Sequence, residues 1–283
     1  MSAPFGRRLC EVVANRDSGG YRVVSLVDRE GPAPAPGQFY MLAAAEGWGA
    51  RDGRAFLPRA ISVADADPAA GGGVRLDFLL DAVGPGTGRL CDLREGEGVW
   101  VTGPLGNSFA SPREVSAAAA GAVLVGGGVG VAPLALLRRR FSERAVPHRV
   151  LLGFRDRAHT GGLDLFCGSS GVLCPEVRLA TEDGHAGLQG RVTDLLLPIL
   201  AGDDASSAVV YTCGPPAMLE AVRMLCAEHG VAVELALESP MACGFGACFG
   251  CAVPKPGGGF LRLCVDGPVL RGEQVEEVSH AYA

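Results

Sequence analysis

The chain has 283 residues, 48% of them hydrophobic and 20% charged, which supplies core material for two folded units plus an appendage and leaves no stretch so polar that it must stay disordered. A formal charge of −6 argues against nucleic acid or an anionic membrane surface as partner, because both call for a concentrated basic face. The 42 glycines, set against only 6% aromatic residues, point to sharp turns and close backbone approaches, which cofactor loops use.

In chain order, residues 1–112 read as short strands broken by Gly and Pro: Glu11 to Ala14, Tyr21 to Val27, Gln38 to Ala43 and Gly73 to Ala82. Val74, Leu76, Phe78 and Leu80 repeat with a period of two, the mark of a half-buried strand in an antiparallel sheet or small barrel. A short helix over Thr87 to Leu93 and a strand over Gly98 to Thr102 complete this unit, and Ser111-Pro112 marks its end. Residues 113–237 alternate buried strand, loop and helix. Strands are predicted at Ala122 to Val125, Arg149 to Gly153, Glu176 to Ala180 and Ala208 to Thr212, with helices at Ala132 to Phe141, Thr193 to Leu200 and Pro216 to Glu228, the pattern of a parallel α/β sheet. Ligands on such sheets bind beyond the carboxyl ends of the strands, where Gly126 to Gly130, Thr181 to Gly184 and Cys213 to Pro215 lie. Residues 238–283 are too few to build much core, so something covalent is expected to hold them, and four of them are cysteines within a short span.

Several features have ordinary explanations. Ala117 to Leu137 carries no charge over 21 residues, yet its glycines and Pro133 suit a strand, a loop and a helix better than a membrane span. The basic run Arg138 to Arg140 ends a predicted helix, where compensation of the helix dipole accounts for it. Met1 to Cys10 shows no apolar run before a cleavage site, so no secretory signal is expected and the protein is placed in the cytoplasm. In that reducing compartment the ten cysteines serve as metal ligands or small buried residues rather than disulfides.

The most specific motif is Cys243-x4-Cys248-x2-Cys251, followed after twelve residues by Cys264, which matches the plant-type spacing of a 2Fe-2S cluster with a shortened last gap. Gly244, Gly246 and Gly250 let the loop wrap tightly with N–H groups toward sulfur. A four-cysteine zinc knuckle is the competing explanation, but it normally offers two C-x2-C pairs where this chain has one. The loop Gly126-Gly127-Gly128-Val129-Gly130 joins a strand to a helix and can hold a pyrophosphate, although loops of this kind also serve packing alone. Cys213, at a strand end, either faces a nicotinamide ring or is a packed thiol. Arg59 to Ser62 and the helix start at Gly86-Thr87 together offer a guanidinium, hydroxyls and backbone N–H groups to a diphosphate. No Ser-His-Asp, metal-histidine or paired-carboxylate arrangement supports hydrolysis.

Taken in order, Arg59-Ala60-Ile61-Ser62, Gly86-Thr87, Gly103-Pro104-Leu105-Gly106-Asn107, the Gly126 loop and Cys213-Gly214-Pro215 resemble the ferredoxin–NADP reductase superfamily over nearly the whole chain. With Glu238-Ser239-Pro240-Met241-Ala242-Cys243-Gly244 and the Val-Asp-Gly-Pro-Val ending at Val269, the chain resembles the electron-transfer subunits of NAD-linked dihydroorotate dehydrogenases. The resemblance implies an FAD-binding β-barrel domain (1–112), a parallel-sheet α/β domain for NAD (113–237) and a 2Fe-2S module (238–283). It implies FAD along Arg59, Ala60, Ile61 and Ser62, with Leu79, Leu80, Asp81, Gly86 and Thr87 completing that site. NAD would lie at Gly126, Gly127, Gly128, Gly130, Thr181, Cys213, Gly214 and Pro215, and Cys243, Cys248, Cys251 and Cys264 would ligate iron.

It further implies that this chain assembles with an FMN-containing catalytic subunit as a heterotetramer in pyrimidine biosynthesis, and that electrons pass from that FMN through the cluster and FAD to NAD+. On this reading the chain does not oxidise dihydroorotate alone. Two departures stand out: Ala60 where the family reads proline, and Gly106-Asn107-Ser108-Phe109 where it reads Gly-x-Gly-Phe. Alanine frees a backbone that proline would fix, so slightly weaker flavin binding is expected. The same cofactors would also suit the NAD(P)H reductase subunit of a hydrogenase, a sulfite reductase or a ferredoxin-linked complex. A zinc-stabilised interaction module without redox activity is the reading from another class.

Overall fold

The computed structural model describes residues 6–49, 57–167 and 172–278; of the stretch read for a secretory signal, residues 1–5 lie outside the described residues. Strands β1 (Arg8–Ser18), β2 (Tyr21–Asp28), β3 (Phe39–Ala44), β4 (Arg59–Pro68), β5 (Val74–Leu80) and β6 (Gly98–Leu105) close into an antiparallel barrel in the order β1-β2-β5-β4-β3-β6. The period of two in β5 sends Leu76, Phe78 and Leu80 into the barrel core, where Leu90 and Cys91 of helix α1 (Pro85–Cys91) join them. Leu79, pointing the other way, packs instead into the core of the following unit.

That unit runs through α2 (Pro112–Val115), β7 (Gly121–Gly127), α3 (Val131–Glu143), β8 (His148–Phe154), β9 (Val177–Thr181), β10 (Leu188–Gln189), α4 (Val192–Leu200), β11 (Ala208–Cys213), α5 (Pro216–Glu228) and β12 (Ala232–Ala236). The C-terminal segment adds a hairpin of β13 (Ala252–Pro254) and β14 (Phe260–Arg262) and then β15 (Val269–Arg271). The sheet order is β10-β9-β8-β7-β11-β12-β15, all parallel except the last strand. The order reverses at β7, and the loops after β7, β9 and β11 are those that the sequence placed at strand ends.

Three sequence expectations need correction. Strand β12 was not predicted, because Glu234 breaks its apolar run; the carboxylate is tolerated there since it accepts the Ala110 N–H at 2.9 Å. The tail is not held by covalent bonds alone. β15 pairs with β12 through Leu270 opposite Leu235, and Val253, Leu263 and Leu270 share an apolar cluster with Phe39, Met41 and Leu105 of the barrel. Finally, the arginine run does more than offset a helix dipole. Arg138 pairs with Glu176 at 3.1 Å and Arg139 with Asp65 and Asp67 at 2.9 and 2.6 Å, leaving only Arg140, paired with Glu143 of its own helix, on the plain helix surface.

Glu234 is 5% exposed, and burial pushes its carboxyl above the ordinary value, opposed by the Ala110 N–H and Arg271. A raised folded-state pKa means that its contribution to stability is complete below the unfolded pKa and is lost as pH rises through the folded value. Glu234→Gln retains an acceptor for Ala110 and removes the charge. Urea unfolding is expected to find this variant more stable than the parent near pH 8 and about equal to it near pH 4, close to the unfolded carboxyl pKa. An identical offset at both pH values would contradict the assignment.

Candidate cofactor sites

Two clefts open where the barrel meets the parallel sheet. The first, of about 440 Å3 and mostly apolar, is lined by Arg59, Ala60, Ile61, Ser62, Leu79, Leu80, Asp81 and Thr87. These lie on β4, at the end of β5 and on α1, so the barrel's pairing brings together residues about two dozen positions apart. Gly86 stands behind the wall: a Cβ there would fall 2.7 Å from Arg59 Nε, so the missing side chain makes room for the guanidinium. The hydroxyl of Thr87 accepts the Gly84 N–H at 3.1 Å and tightens the turn before α1. The opposite wall comes from Val129 and Pro133 and from Leu237, Glu238, Met241 and Pro268.

Glu238 was missed as a site residue by sequence reasoning, because β12, the strand that delivers it to the cleft, was itself not predicted. It is an exposed residue of the cleft wall, and desolvation by the surrounding protein raises its carboxyl pKa. The cleft's size and mostly apolar walls, with the Arg59 guanidinium and the hydroxyls of Ser62 and Thr87 among its lining residues, suit a flavin ring and its phosphates.

The second cleft, of about 620 Å3, is lined by Gly127, Gly128, Val129 and Pro215 at the strand ends and by Tyr21 and Asp81 from the barrel. Farther along the sheet edge it meets Arg155, His159, Glu182 and Arg191. Other predicted residues shape this cleft without lining it. Gly126 packs against Leu134 and Leu152, and a Cβ on Gly130 would lie 2.5 Å from the Cα of Gly214, so the two loops approach as only glycines allow. Thr181 is buried, and its hydroxyl bonds Ala186 at 2.9 Å; the neighbouring Glu182 reaches the cleft instead. Cys213 is 1% exposed and packed in the apolar core, where burial pushes its thiol well above the usual value. Backbone N–H groups at the start of α3 beside Gly127 and Gly128 suit a pyrophosphate.

The four predicted cysteines come together in pairs. Cys251 and Cys264 sulfurs lie 3.2 Å apart and buried, while Cys243 and the exposed Cys248 are hydrogen-bonded neighbours. Gly246 N–H donates to Cys264 Sγ at 3.1 Å. Burial alone would raise the Cys243 thiol, but N–H groups of Phe245, Cys248 and Ala247 hold it down at about 6. Burial and the Cys251 sulfur push Cys264 up to about 12, so a metal must displace its proton. With backbone N–H groups aimed at Cys243 and Cys264, the two pairs suit thiolate ligation of an iron–sulfur cluster, which the four cysteines would hold, and the loop touches the first cleft at both ends: Met241 precedes Cys243 by two residues and Pro268 follows Cys264 by four.

A flavin-shaped cleft, a nucleotide cleft sharing Asp81 and Val129 with it, and a cluster loop behind its far wall define an oxidoreductase of the ferredoxin-reductase type carrying an iron–sulfur module. A chain of the NADH-dependent reduced ferredoxin–NADP oxidoreductase matches with a TM-score of 0.76 at 26% identity, over 97% of this chain and 92% of that one. Residues 238–276 match the iron–sulfur cluster binding domain of dihydroorotate dehydrogenase B. The dihydroorotate dehydrogenase B (NAD(+)) electron transfer subunit of Caldanaerobacter subterraneus subsp. tengcongensis is 33% identical over 267 residues, 93% of this chain and 96% of that protein. Its counterpart in Geobacillus thermodenitrificans is 36% identical over 242 residues, 85% and 86% of the two chains. The chain belongs to the family of dihydroorotate dehydrogenase B electron transfer subunits.

Gly86→Ala is expected to push the Arg59 guanidinium aside with little effect on the fold, since the clash is with the end of a flexible side chain. Loss of one charge-assisted contact should weaken FAD retention ~10-fold, read from flavin fluorescence released on dilution. Gly88→Ala, whose Cβ would meet nothing within 4 Å, is the control and should retain flavin like the parent.

Proposed function

We propose that this chain carries electrons between NAD and an FMN-containing dihydroorotate dehydrogenase catalytic subunit, with which it forms a heterotetramer, and that it does not oxidise dihydroorotate alone. The observation that carries the reading is the unbroken series of sites: the nucleotide cleft shares Asp81 and Val129 with the flavin cleft, Met241 and Pro268 link that cleft to the cysteine loop, and the loop reaches the surface at Cys248. Bound in these sites, FAD converts between hydride exchange with nicotinamide and the one-electron exchange of a 2Fe-2S cluster.

The chain's own residues place and insulate these groups. Arg59, Ser62 and Thr87 hold the flavin, with Leu79, Leu80 and Met241 keeping water from its ring. Gly127, Gly128 and the start of α3 hold the nucleotide diphosphate. The cysteines hold iron. Phe245 and Phe249, 46% and 61% exposed beside Cys248, supply an apolar rim for the catalytic subunit to cover.

Iron, sulfide and flavin analysis of the purified chain is expected to find FAD and a 2Fe-2S cluster, both bleached by NADH under anaerobic conditions. Cys251→Ser should remove the cluster and keep the flavin. Mixing with the catalytic subunit should give NAD-linked dihydroorotate oxidation that neither chain shows alone, and Phe249→Asp should abolish it while NADH still bleaches the flavin. Bound zinc without flavin colour would refute the redox reading; intact cofactors without coupling to that subunit would favour the ferredoxin-linked alternative.

Nucleotide choice is assigned to Glu182. Its carboxylate lines the cleft at the end of β9, suited to accept from a ribose hydroxyl and to repel a 2′-phosphate. Glu182→Gln is expected to lower the NADH-over-NADPH preference in kcat/KM by ~10-fold, one lost charged contact. An unchanged preference would place the selection elsewhere, at Arg155 or Arg191.

A further inference from the structure

Two segments set the relation between the clefts, and each also bears residues with no part in either. Helix α3 begins at the glycine loop of the nucleotide cleft and reaches Arg139 about 12 Å along its axis. Strand β4 begins with the flavin-cleft residues Arg59 to Ser62 and, just past a register shift between Val63 and Asp65, reaches Asp65 and Asp67. The shift re-aims the strand's side chains toward the helix. Arg139 bridges the two: its guanidinium meets Asp65 at 2.9 Å, Asp67 at 2.6 Å and the carbonyl of Ala66.

One turn earlier Leu136, fully buried, enters the barrel core from the same helix. Apolar contact alone would hold the helix to the barrel but would let it slide; a planar guanidinium shared among three acceptors fixes one position along the strand.

We propose that Arg139, with Asp65 and Asp67, is a positioning device that sets the nucleotide loop against the flavin-binding strand, and so governs hydride transfer rather than binding of either cofactor. The proposal rests on the redox reading above. A misplacement of about 1 Å at a reacting pair costs on the order of 100-fold in rate, whereas binding made elsewhere along the nucleotide is barely touched.

The test uses the full chain loaded with FAD and cluster. In stopped-flow reduction by NADH, Arg139→Ala is expected to slow flavin bleaching at saturation ~10- to 100-fold, with half-saturation within ~3-fold of the parent. Arg139→Lys, which retains the charge but not the fork, should fall between. Flavin content and reduction of the cluster by dithionite should match the parent, a separation that general damage to the fold would not give. In the cofactor-free chain, hydrogen exchange should quicken at residues 64–66 and 139–143 only. Should Arg139→Ala fail to fold, Asp67→Asn, at the exposed rim, must show the same split at smaller size.

A saturating rate within twofold of the parent, or a loss shared equally by hydride transfer, flavin content and cluster reduction, would overturn the proposal. A parent chain that binds no flavin would instead defeat the redox reading on which it rests.

Discussion

The contact between helix α3 and the barrel is the constraint on which the rest of the molecule depends. Leu136 of that helix is fully buried in the barrel core, while Tyr21, Val23, Ala64 and Leu79 of the barrel lie in the core of the parallel sheet. Leu136, Val23 and Leu79 each contribute roughly 1.5–3 kcal/mol when fully buried, so drawing the two units apart would forfeit several of these at once. A small, polar domain interface would leave hinge motion as the default. Here the β1–β2 turn adds a second attachment, with Ser18 accepting the Gly162 N–H at 3.0 Å and Arg16 paired to Asp164. The clefts therefore lie between bodies whose separation is set by packing, which suits a hydride step that tolerates little misplacement.

The cysteine module depends on the same framework. A loop of this size has little interior, yet Cys251 and Cys264 are buried because Met41 and Leu105 of the barrel share their cluster and because β15 extends the sheet beside β12. The segment is thus fastened at both ends before iron enters: by the run from β12 into Met241 at one side and by Pro268 and β15 at the other. Iron then completes an already constrained loop. Because those fastenings form the flavin cleft wall, the module cannot shift without altering the cleft.

Features encoded by neighbouring residues were legible in the sequence. The Cys243 to Cys264 spacing, the glycine loop before α3 and the alternation in β5 each report local geometry: the cysteines lie in two neighbouring pairs, the glycine loop joins β7 to α3, and β5 alternates into the barrel core. Features decided by distant partners were not. Strand β12 carries a charge that only distant partners explain, the Ala110 N–H, 124 residues away, and Arg271 opposite it on β15. Arg139 looks like helix surface until Asp65, on a strand of the other unit, comes into view. Thr181 and Glu182 are adjacent, and strand alternation plus one hydroxyl bond to Ala186 decides which of them meets the cleft. Glycines lining the nucleotide cleft and glycines packed behind it read alike as letters, since the difference lies in what approaches them.

The cysteine loop is also asymmetric in its exposure. Cys251 and Cys264 are buried in the cluster shared with Met41 and Leu105 of the barrel, whereas Cys248 is exposed beside Phe245 and Phe249. Phe249 has a left-handed backbone, φ 60, which is uncommon for a residue with a side chain, and Arg262 lies over its ring at 5.0 Å. Such a conformation costs of order 1–3 kcal/mol; it closes the tight turn between Cys248 and Cys251, where the Phe249 carbonyl accepts the Ala252 N–H at 3.2 Å, and leaves a large apolar ring in water. It does turn the ring outward next to the exposed cysteine, where a partner surface would cover both. On the proposed assembly, the same contact would offset the strain and shield the exposed side of the loop.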